Sequence, residues 1–168
     1  MAIFARCVTG VFTALIVFGS GPVAASERGR ETNLPIPRYV SMKASEANVR
    51  RGPSLTHRID WVFHRRNTPL EVTAEYGHWR RIRDADGAGG WVHYTLLSGV
   101  RHVVIKGAEV TLRDRPSSGA RAVAMAEDGA IAKLGDCLPD WCEVTSDRAR
   151  GWISKAEIWG VDSDELRD

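Results

Sequence analysis

Short apolar runs dominate the chain from Tyr39 onward, and Gly, Pro, Asn or Asp interrupts them about every 8–12 residues. Several runs alternate in polarity, as in Leu70-Glu71-Val72-Thr73-Ala74, which is typical of strands with one buried face. The pattern shows no long amphipathic helix after the first 25 residues. It therefore predicts an all-β protein whose strands cover 39–42, 48–50, 60–63, 70–74, 79–83, 90–93, 102–105, 110–113, 122–125, 131–134, 141–145 and 151–154.

The second half of this pattern repeats the first with a shift of 61–63 residues. The recurring pairs are Asn48-Val49-Arg50 with Thr111-Leu112-Arg113, Trp79 with Trp141, and Gly90-Trp91-Val92 with Gly151-Trp152-Ile153. Two copies are too few for a solenoid and fit two small tandem domains, each near the lower size limit for independent folding. We predict a first domain at 39–99, a second at 100–161 and an acidic tail at 162–168.

The first 25 residues have the layout of a secretory signal peptide. Residues 7–18 are mostly apolar, and Val23-Ala24-Ala25 supplies the small residues of a cleavage site. The alternative, a membrane anchor, needs about 20 apolar residues, and the polar and turn-forming residues 19–22 interrupt the run too early. We expect cleavage after Ala25, export to the periplasm or beyond, no membrane span after cleavage, and a polar linker or extended arm at 26–38.

Cleavage would leave two of the three cysteines, Cys137 and Cys142. In an oxidising compartment an even number of cysteines indicates a disulfide. A metal site would need further ligands nearby, and a redox Cys-x-x-Cys motif has two intervening residues rather than four. The spacing therefore predicts a structural disulfide that closes a short turn.

The equivalent positions in the first copy hold Glu75 and Arg80, an acid and a base. We predict that they face each other across a hairpin as an exposed ion pair, which leaves the disulfide-closed hairpin as the tighter one. Direct pairing of 75 with 80 places Val72 opposite Arg83, whereas the apolar pattern favours Val72 opposite Ile82. A β-bulge would reconcile the two registers.

Charge is distributed unevenly although the total is only +2. Residues 39–100 carry nine basic and six acidic side chains, and residues 101–168 carry ten basic and thirteen acidic ones. Opposite signs fit two halves that dock on each other, and the arginine-rich first copy equally fits an anionic partner. Export and the near-neutral total oppose nucleic acid binding, so we expect no nucleic acid partner.

Sequence motifs of catalysis are missing from the chain, including G-x-S-x-G, H-E-x-x-H, a phosphate loop and a dinucleotide-binding glycine pattern. The five histidines stand apart without the spacing of a metal site: His57, His64, His78, His93 and His102. We therefore expect no enzyme activity, no cofactor and no metal.

The tryptophans of the repeat form two pairs. Trp79 and Trp141 follow hairpin turns and share strand parity with polar residues, so we expect them to be partly exposed. Trp91 and Trp152 are expected to be structural core residues, together with the glycines that precede them, Gly90 and Gly151. A flat indole beside arginines suits a sugar face, a peptide or a carboxylate. The candidate ligand face consists of Arg50, Trp61, Tyr76, Trp79 and Arg81; the alternative is that Trp79 packs on loops and the arginines are only solvated.

Three segments of the first copy, recurring in order in the second, carry a family resemblance. They are Asn48-Val49-Arg50-Arg51-Gly52-Pro53-Ser54, Gly77-His78-Trp79-Arg80-Arg81-Ile82, and Gly87-Ala88-Gly89-Gly90-Trp91-Val92 with Leu96-Leu97. The chain resembles the bacterial SH3-like (SH3b) family in its exported tandem-domain form, from Tyr39 to Val161. The second copy departs from the pattern at Thr111 and Arg115, which replace the Asn and the turn Gly.

This resemblance implies half-open barrels of five to seven strands and non-catalytic binding, commonly of peptidoglycan or of peptide segments. We therefore expect an exported binding module for a cell-wall glycan or peptide or for an envelope protein. The alternative is a scaffold of two docked barrels without a small ligand, and a cell-wall hydrolase is the third reading.

Overall fold

The structure, a computed structural model, describes residues 27–168. These residues form short strands and two one-turn 3-10 helices, at Tyr94–Leu96 and Lys155–Glu157. The strands are β1 (Glu27–Arg28), β2 (Pro35–Ile36), β3 (Arg38–Met42), β4 (Ala47–Arg50), β5 (Ile59–Phe63), β6 (Pro69–Tyr76), β7 (Trp79–Arg83), β8 (Gly89–His93), β9 (Leu97–Ser98), β10 (His102–Ile105), β11 (Glu109–Arg113), β12 (Ala122–Glu127), β13 (Ile131–Cys137), β14 (Trp141–Thr145), β15 (Arg150–Ser154) and β16 (Ile158–Trp159).

The larger strands form two antiparallel sheets of seven strands each. The first sheet has the order β5-β4-β8-β7-β6-β3-β9, and the second has the order β12-β11-β15-β14-β13-β10-β16. The two orders correspond strand for strand, so the sequence repeat is a repeat of topology. The predicted all-β class and tandem pair of small domains are confirmed.

Each sheet surrounds its own apolar core. The first core contains Met42, Ala47, Val49, Phe63, Leu70, Val72, Ile82 and Val92. The second contains Val103, Ile105, Val110, Leu112, Ala132, Leu134, Cys137, Cys142, Val144, Ile153 and Ile158. In β4, β7 and β8 the residues that flank these buried positions point outward, as the period of two requires.

A β-bulge sets the register of the long hairpin in each copy. In the first copy Val72 pairs with Ile82 and Glu75 pairs with Arg80, with a register shift between Val72 and Ala74. The second copy shows an equivalent shift in the hairpin of β13 and β14. The bulge anticipated from the conflict between the two registers is therefore confirmed.

The hairpin ends are closed differently in the two copies. Cys137 and Cys142 are cross-strand partners joined by a disulfide, as predicted. Glu75 and Arg80 occupy the equivalent places, with Arg80 Nε 3.5 Å from Glu75 Oε1. The expectation that this pair is exposed is wrong, because each residue is only 7% exposed.

The N-terminal segment explains the burial of Glu75. The stretch predicted as a linker or extended arm forms a hairpin of β1 and β2. The Glu75 carboxylate accepts hydrogen bonds from the backbone of Glu31 (2.9 Å) and Thr32 (3.0 Å), from the Thr32 hydroxyl (2.7 Å) and from Arg38 (2.7 Å). Burial alone would raise the pKa of Glu75, but these hydrogen bonds outweigh it and lower the pKa to about 2.

The C-terminal segment folds back onto the second copy in a similar way. The backbones of Arg167 and Cys137 exchange two hydrogen bonds of 2.7 and 3.0 Å. The Glu165 carboxylate binds both terminal nitrogens of Arg101, at 3.0 and 3.1 Å. Lys155 Nζ donates to the Glu165 carbonyl oxygen at 2.7 Å. The N-terminal arm and the C-terminal segment thus contact equivalent hairpin positions, Glu75 in the first copy and Cys137 in the second.

The two copies contact each other through β3, β10 and β16. The Tyr39 ring meets the Trp159 ring edge to face at 5.3 Å between centroids, and Arg101 Cζ lies 5.3 Å from the centre of the Tyr39 ring. His102 Nδ1 lies 3.0 Å from Ser41 Oγ, and both residues are buried. Burial lowers the pKa of His102, which favours the neutral imidazole at this contact.

Candidate binding face

Polar and aromatic side chains form rows across the outward side of β4, β7 and β8. One row places Trp91 between Arg50 and Arg81, and the neighbouring row pairs Trp79 with His93. Cross-strand partners share one face of a sheet. These five residues therefore form one surface, which we call the first-copy face.

The expected core location of Trp91 and Trp152 is wrong. Both side chains are partly exposed and lie outside the apolar cores, because the residue after each of them is the buried one. Gly90 and Gly151 lie where the backbones of neighbouring strands pack closely. A Cβ at Gly90 would come within 2.7 Å of a backbone oxygen on β4, and one at Gly151 within 3.0 Å of a backbone oxygen on β11.

A groove of about 240 Å³ lies at one end of the first-copy face. Trp79 and His93 form its aromatic wall, with ring centroids 5.7 Å apart and an interplanar angle of 89°. Asn48 contributes an amide, and Leu55 and Leu96 contribute apolar surface. The Leu55 side chain is 74% exposed and therefore accessible to a ligand. Glu46, Ala47 and Arg50 complete the lining of what we call the Trp79 groove.

Arg50 shapes this groove from its side. One of its terminal nitrogens donates to the carbonyl oxygens of Leu55 (2.9 Å) and His57 (2.7 Å), which fixes the loop that carries Leu55. Arg113 has the same role in the second copy, where it donates to the Ala120 carbonyl oxygen at 2.8 Å. Arg50 is therefore a positioning residue as well as part of the predicted ligand face.

The other predicted ligand residues, Tyr76, Arg81 and Trp61, do not line the Trp79 groove. Tyr76 pairs directly with Trp79 across the hairpin and is 64% exposed. Arg81 lies further along β7 and lines a separate groove. Trp61 belongs to the other side of the sheet, because it pairs with the buried Val49, and it packs edge to face on Phe63 at 6.3 Å.

His78 and Tyr94 extend the aromatic wall, and sequence reasoning assigned neither them nor His93 to the ligand face. The ring centroids of His93 and Tyr94 lie 5.1 Å apart, and those of His78 and His93 lie 5.7 Å apart. A backbone hydrogen bond from Tyr94 N–H to the His78 carbonyl oxygen (2.9 Å) joins the two segments. The available signal was strand parity, since His93 is two residues from Trp91 and so shares its outward face.

The second copy presents a different surface at the equivalent positions. Trp141 is retained and partly exposed, but its cross-strand partner is Ser154 where the first copy has His93. Trp152 lies between Arg113 and Glu143. The aromatic wall of the Trp79 groove is thus reduced to a single indole.

Residues 27–168 contain neither a cluster of metal-ligating side chains nor a long apolar helix. In this range no group of three or more His, Cys, Asp and Glu side chains is arranged to hold a metal ion. The same residues contain no helix long and apolar enough to cross a bilayer. The predicted signal peptide, residues 1–25, lies outside the part of the chain that the structure describes.

Two small antiparallel barrels of identical topology define this protein as a tandem of SH3-like domains. The family model of the bacterial SH3 domain matches residues 43–99 and 106–160, and the chain belongs to this family. No curated protein matches the chain.

Two solved structures resemble parts of it, NlpC2 and NlpC1 from Trichomonas vaginalis, at 9% and 11% identity and a TM-score of 0.35 each. The matches cover 73% and 82% of this chain and 48% and 51% of those proteins, so the chain spans about half of their length.

Proposed function

We propose that the protein is an exported, non-catalytic binding module whose Trp79 groove holds a short segment of cell-wall peptidoglycan. One observation carries this proposal. Trp79 and His93 stand at right angles over a groove that Leu55 and Leu96 close with apolar surface. Family membership supports a binding role for the domain as a whole.

The chemistry of the groove suits a small amphipathic segment. An indole offers a large rigid apolar surface that stacks on a sugar face or an aliphatic side chain at little entropic cost. The Asn48 amide both donates and accepts hydrogen bonds, which matches the amide and hydroxyl groups of a glycopeptide. Because the groove is open and shallow, we expect modest affinity at a single site, strengthened on an insoluble polymer with repeated ligands.

A pull-down with purified sacculi tests this function. Trp79→Ala should lower retention by about tenfold, since alanine removes the stacking surface. The matched control is Trp141→Ala, which removes the equivalent indole of the second copy and should leave retention within about twofold. Equal loss in both variants, or full retention of Trp79→Ala, would contradict the assignment to the Trp79 groove.

A protease-treated batch of sacculi separates the wall polymer from proteins attached to it. Retention that survives this treatment supports a peptidoglycan ligand, whereas retention that disappears identifies an envelope protein as the partner. A turbidity assay on the same sacculi should stay flat, because the proposed role is non-catalytic. Thermal unfolding of Trp79→Ala provides the check on folding, and its partly exposed side chain should make the loss of stability small.

A structural role is the second candidate, and the contact between the copies favours it. The Tyr39–Trp159 pair and the buried His102–Ser41 contact join β3 to β10 and β16. We infer that the two barrels act as one rigid body. Small-angle scattering should then fit a single compact particle, and Tyr39→Ala should loosen it; a wild-type profile of two independently moving lobes would contradict this role.

A further inference from the structure

A second groove, of about 300 Å³, lies at the opposite end of the first-copy face. Thr73, from the bulge of β6, forms one side, and Arg81 and Arg83 of β7 form another. Gly89 and Gly90 leave the backbone of β8 bare at the base. We call this the Arg81 groove; it shares no lining residue with the Trp79 groove.

The two arginines of this groove differ in how they are paired. The Arg83 guanidinium binds the buried carboxylate of Glu71. Arg81, by contrast, is hydrogen-bonded through its backbone: its carbonyl oxygen accepts from the Thr73 hydroxyl at 3.4 Å. Within residues 27–168 the exposed Arg81 guanidinium has no side-chain partner, and an unneutralised cation beside a second arginine favours an incoming anion.

The second copy shows what the same place holds when it is filled. Glu143 pairs with Trp152 as Arg81 pairs with Trp91, and Arg150 occupies the place of Gly89. The Glu143 carboxylate binds Arg150 at 2.6 Å and is only 15% exposed. It also lies next to Gly135, the counterpart of Thr73, since a Cβ there would be 3.3 Å from Glu143 Oε2.

At these two positions the first copy thus has a base, Arg81, where the second has the acid, and a glycine, Gly89, where the second has the arginine. A carboxylate that is internal to the second copy is missing from the first, and the space that it and its arginine would fill is open. A side chain at Gly89 is excluded, because its Cβ would lie 1.9 Å from the Ile82 carbonyl oxygen. The opening is thus fixed by the backbone of β7 and β8.

We propose that the Arg81 groove is a carboxylate-binding site for an acidic peptide segment, with Arg81 as the anchoring cation. Two acids of the same region are engaged elsewhere: Glu71 binds Arg83, and the Asp84 carboxylate accepts backbone hydrogen bonds from Asp86 (3.0 Å) and Ala88 (2.8 Å). The site is independent of the ligand proposed for the Trp79 groove.

An NMR titration of the purified protein with capped hexaglutamate tests this site, with capped hexaglutamine as the uncharged control. Hexaglutamate should shift the amide resonances of Thr73, Gly89 and Gly90, and hexaglutamine should not. Arg81→Gln should weaken binding by about tenfold, the scale of one charge-assisted hydrogen-bonded pair, and Arg81→Lys should keep part of it. Arg66→Gln removes the same charge at an exposed site outside the groove and should change the affinity by less than about twofold.

The remaining outcomes overturn the proposal. Equal weakening by Arg66→Gln and Arg81→Gln would reduce the effect to net charge. Binding of hexaglutamine with similar affinity would show that the site does not recognise the carboxylate. Shifts caused by inorganic phosphate but not by hexaglutamate would make the site an oxyanion site of another kind. Trp79→Ala should leave hexaglutamate binding unchanged, which keeps failure of this site distinguishable from failure of the Trp79 groove.

Discussion

The two copies share topology, bulge and register, yet they close the same hairpin by different chemistry. In the first copy a buried carboxylate at Glu75 holds the N-terminal arm, and in the second a disulfide at Cys137 stands next to the C-terminal segment. A disulfide needs no hydrogen-bond donors to stay buried, whereas a buried carboxylate needs several. The first copy is therefore coupled to its arm and to pH in a way that the second is not.

The outward faces of the copies differ in the same sense. The first keeps open grooves beside Trp79 and Arg81, and the second satisfies the equivalent charges within itself through Glu143 and Arg150. At these equivalent positions the first copy thus has the unpaired cation of Arg81, and the second copy has the Glu143–Arg150 ion pair. On this difference rests the proposal that the first copy binds the ligand and that the second copy supports it.

The largest loss of stability should come from removing the Glu75 carboxylate, which binds the N-terminal arm. Glu75→Ala removes the carboxylate that pairs with the poorly exposed Arg38 and Arg80 and that satisfies the donors of the arm, which should cost about 3–5 kcal/mol in the free energy of unfolding. Urea unfolding measures this loss. Glu127→Ala, at an exposed strand position, is the matched control and should change stability by about 0.5 kcal/mol or less. A loss below about 1 kcal/mol for Glu75→Ala would mean that the arm does not depend on this carboxylate.

Low pH should have the next-largest effect, and it should destabilise the first copy through Glu75. The pKa of Glu75 is about 2 in the folded protein and about 4.3 in an unfolded chain. Its contribution is therefore fully present above about pH 5 and is lost as the pH falls toward 2, by about 3 kcal/mol in total. Urea unfolding at a series of pH values should show this loss in wild type and not in Glu75→Gln. A parallel pH dependence in both proteins would contradict the coupling.

Removal of the disulfide should have a somewhat smaller effect, confined to the second copy. The loop it closes is short, so Cys137→Ala with Cys142→Ala should cost about 2 kcal/mol. Hydrogen exchange can assign this loss, because protection should fall in β13 and β14 and remain unchanged in β6 and β7. Equal loss of protection in both hairpins would show that the copies do not respond separately.

The smallest effect should be the pH dependence of stability that comes from His102, at the contact between the copies. Burial lowers the pKa of His102 below its ordinary value, and nearby Lys133 acts in the same direction. A base with a lowered pKa stabilises the fold fully above about pH 6.5, its unfolded value, and this stability declines as the pH falls below that. Unfolding midpoints between neutral and mildly acidic pH should show the decline in wild type and less of it in His102→Gln, and an identical slope in both would contradict it.

The sequence was sufficient for those features that the repeat and the apolar pattern constrain together. The bulge between Val72 and Ala74 follows from requiring both the 75–80 pairing and a buried Val72. The burial of Glu75 could not be predicted from the sequence, because its partners lie in a remote polar segment that carries no periodic signal. Trp91 was misplaced because the preceding glycine suggested close packing, although the buried Val92 already implied that Trp91 points outward.

The candidate groove could be predicted only in part, for a similar reason. Trp79 and Arg50 were accessible from the repeat, since both belong to punctuated motifs. Leu55 and His93 were not, because a loop fold and a cross-strand register bring them to Trp79. Such contacts depend on the three-dimensional path of the chain rather than on spacing.

The division of labour between the copies can be tested most directly through the indole N–H resonances. A titration with soluble peptidoglycan fragments should shift the resonance of Trp79, with a smaller shift at Trp91 on the same face. Trp141 and Trp152 should remain unchanged. Shifts of equal size in both copies, or shifts confined to the second copy, would contradict the assignment of binding to the first.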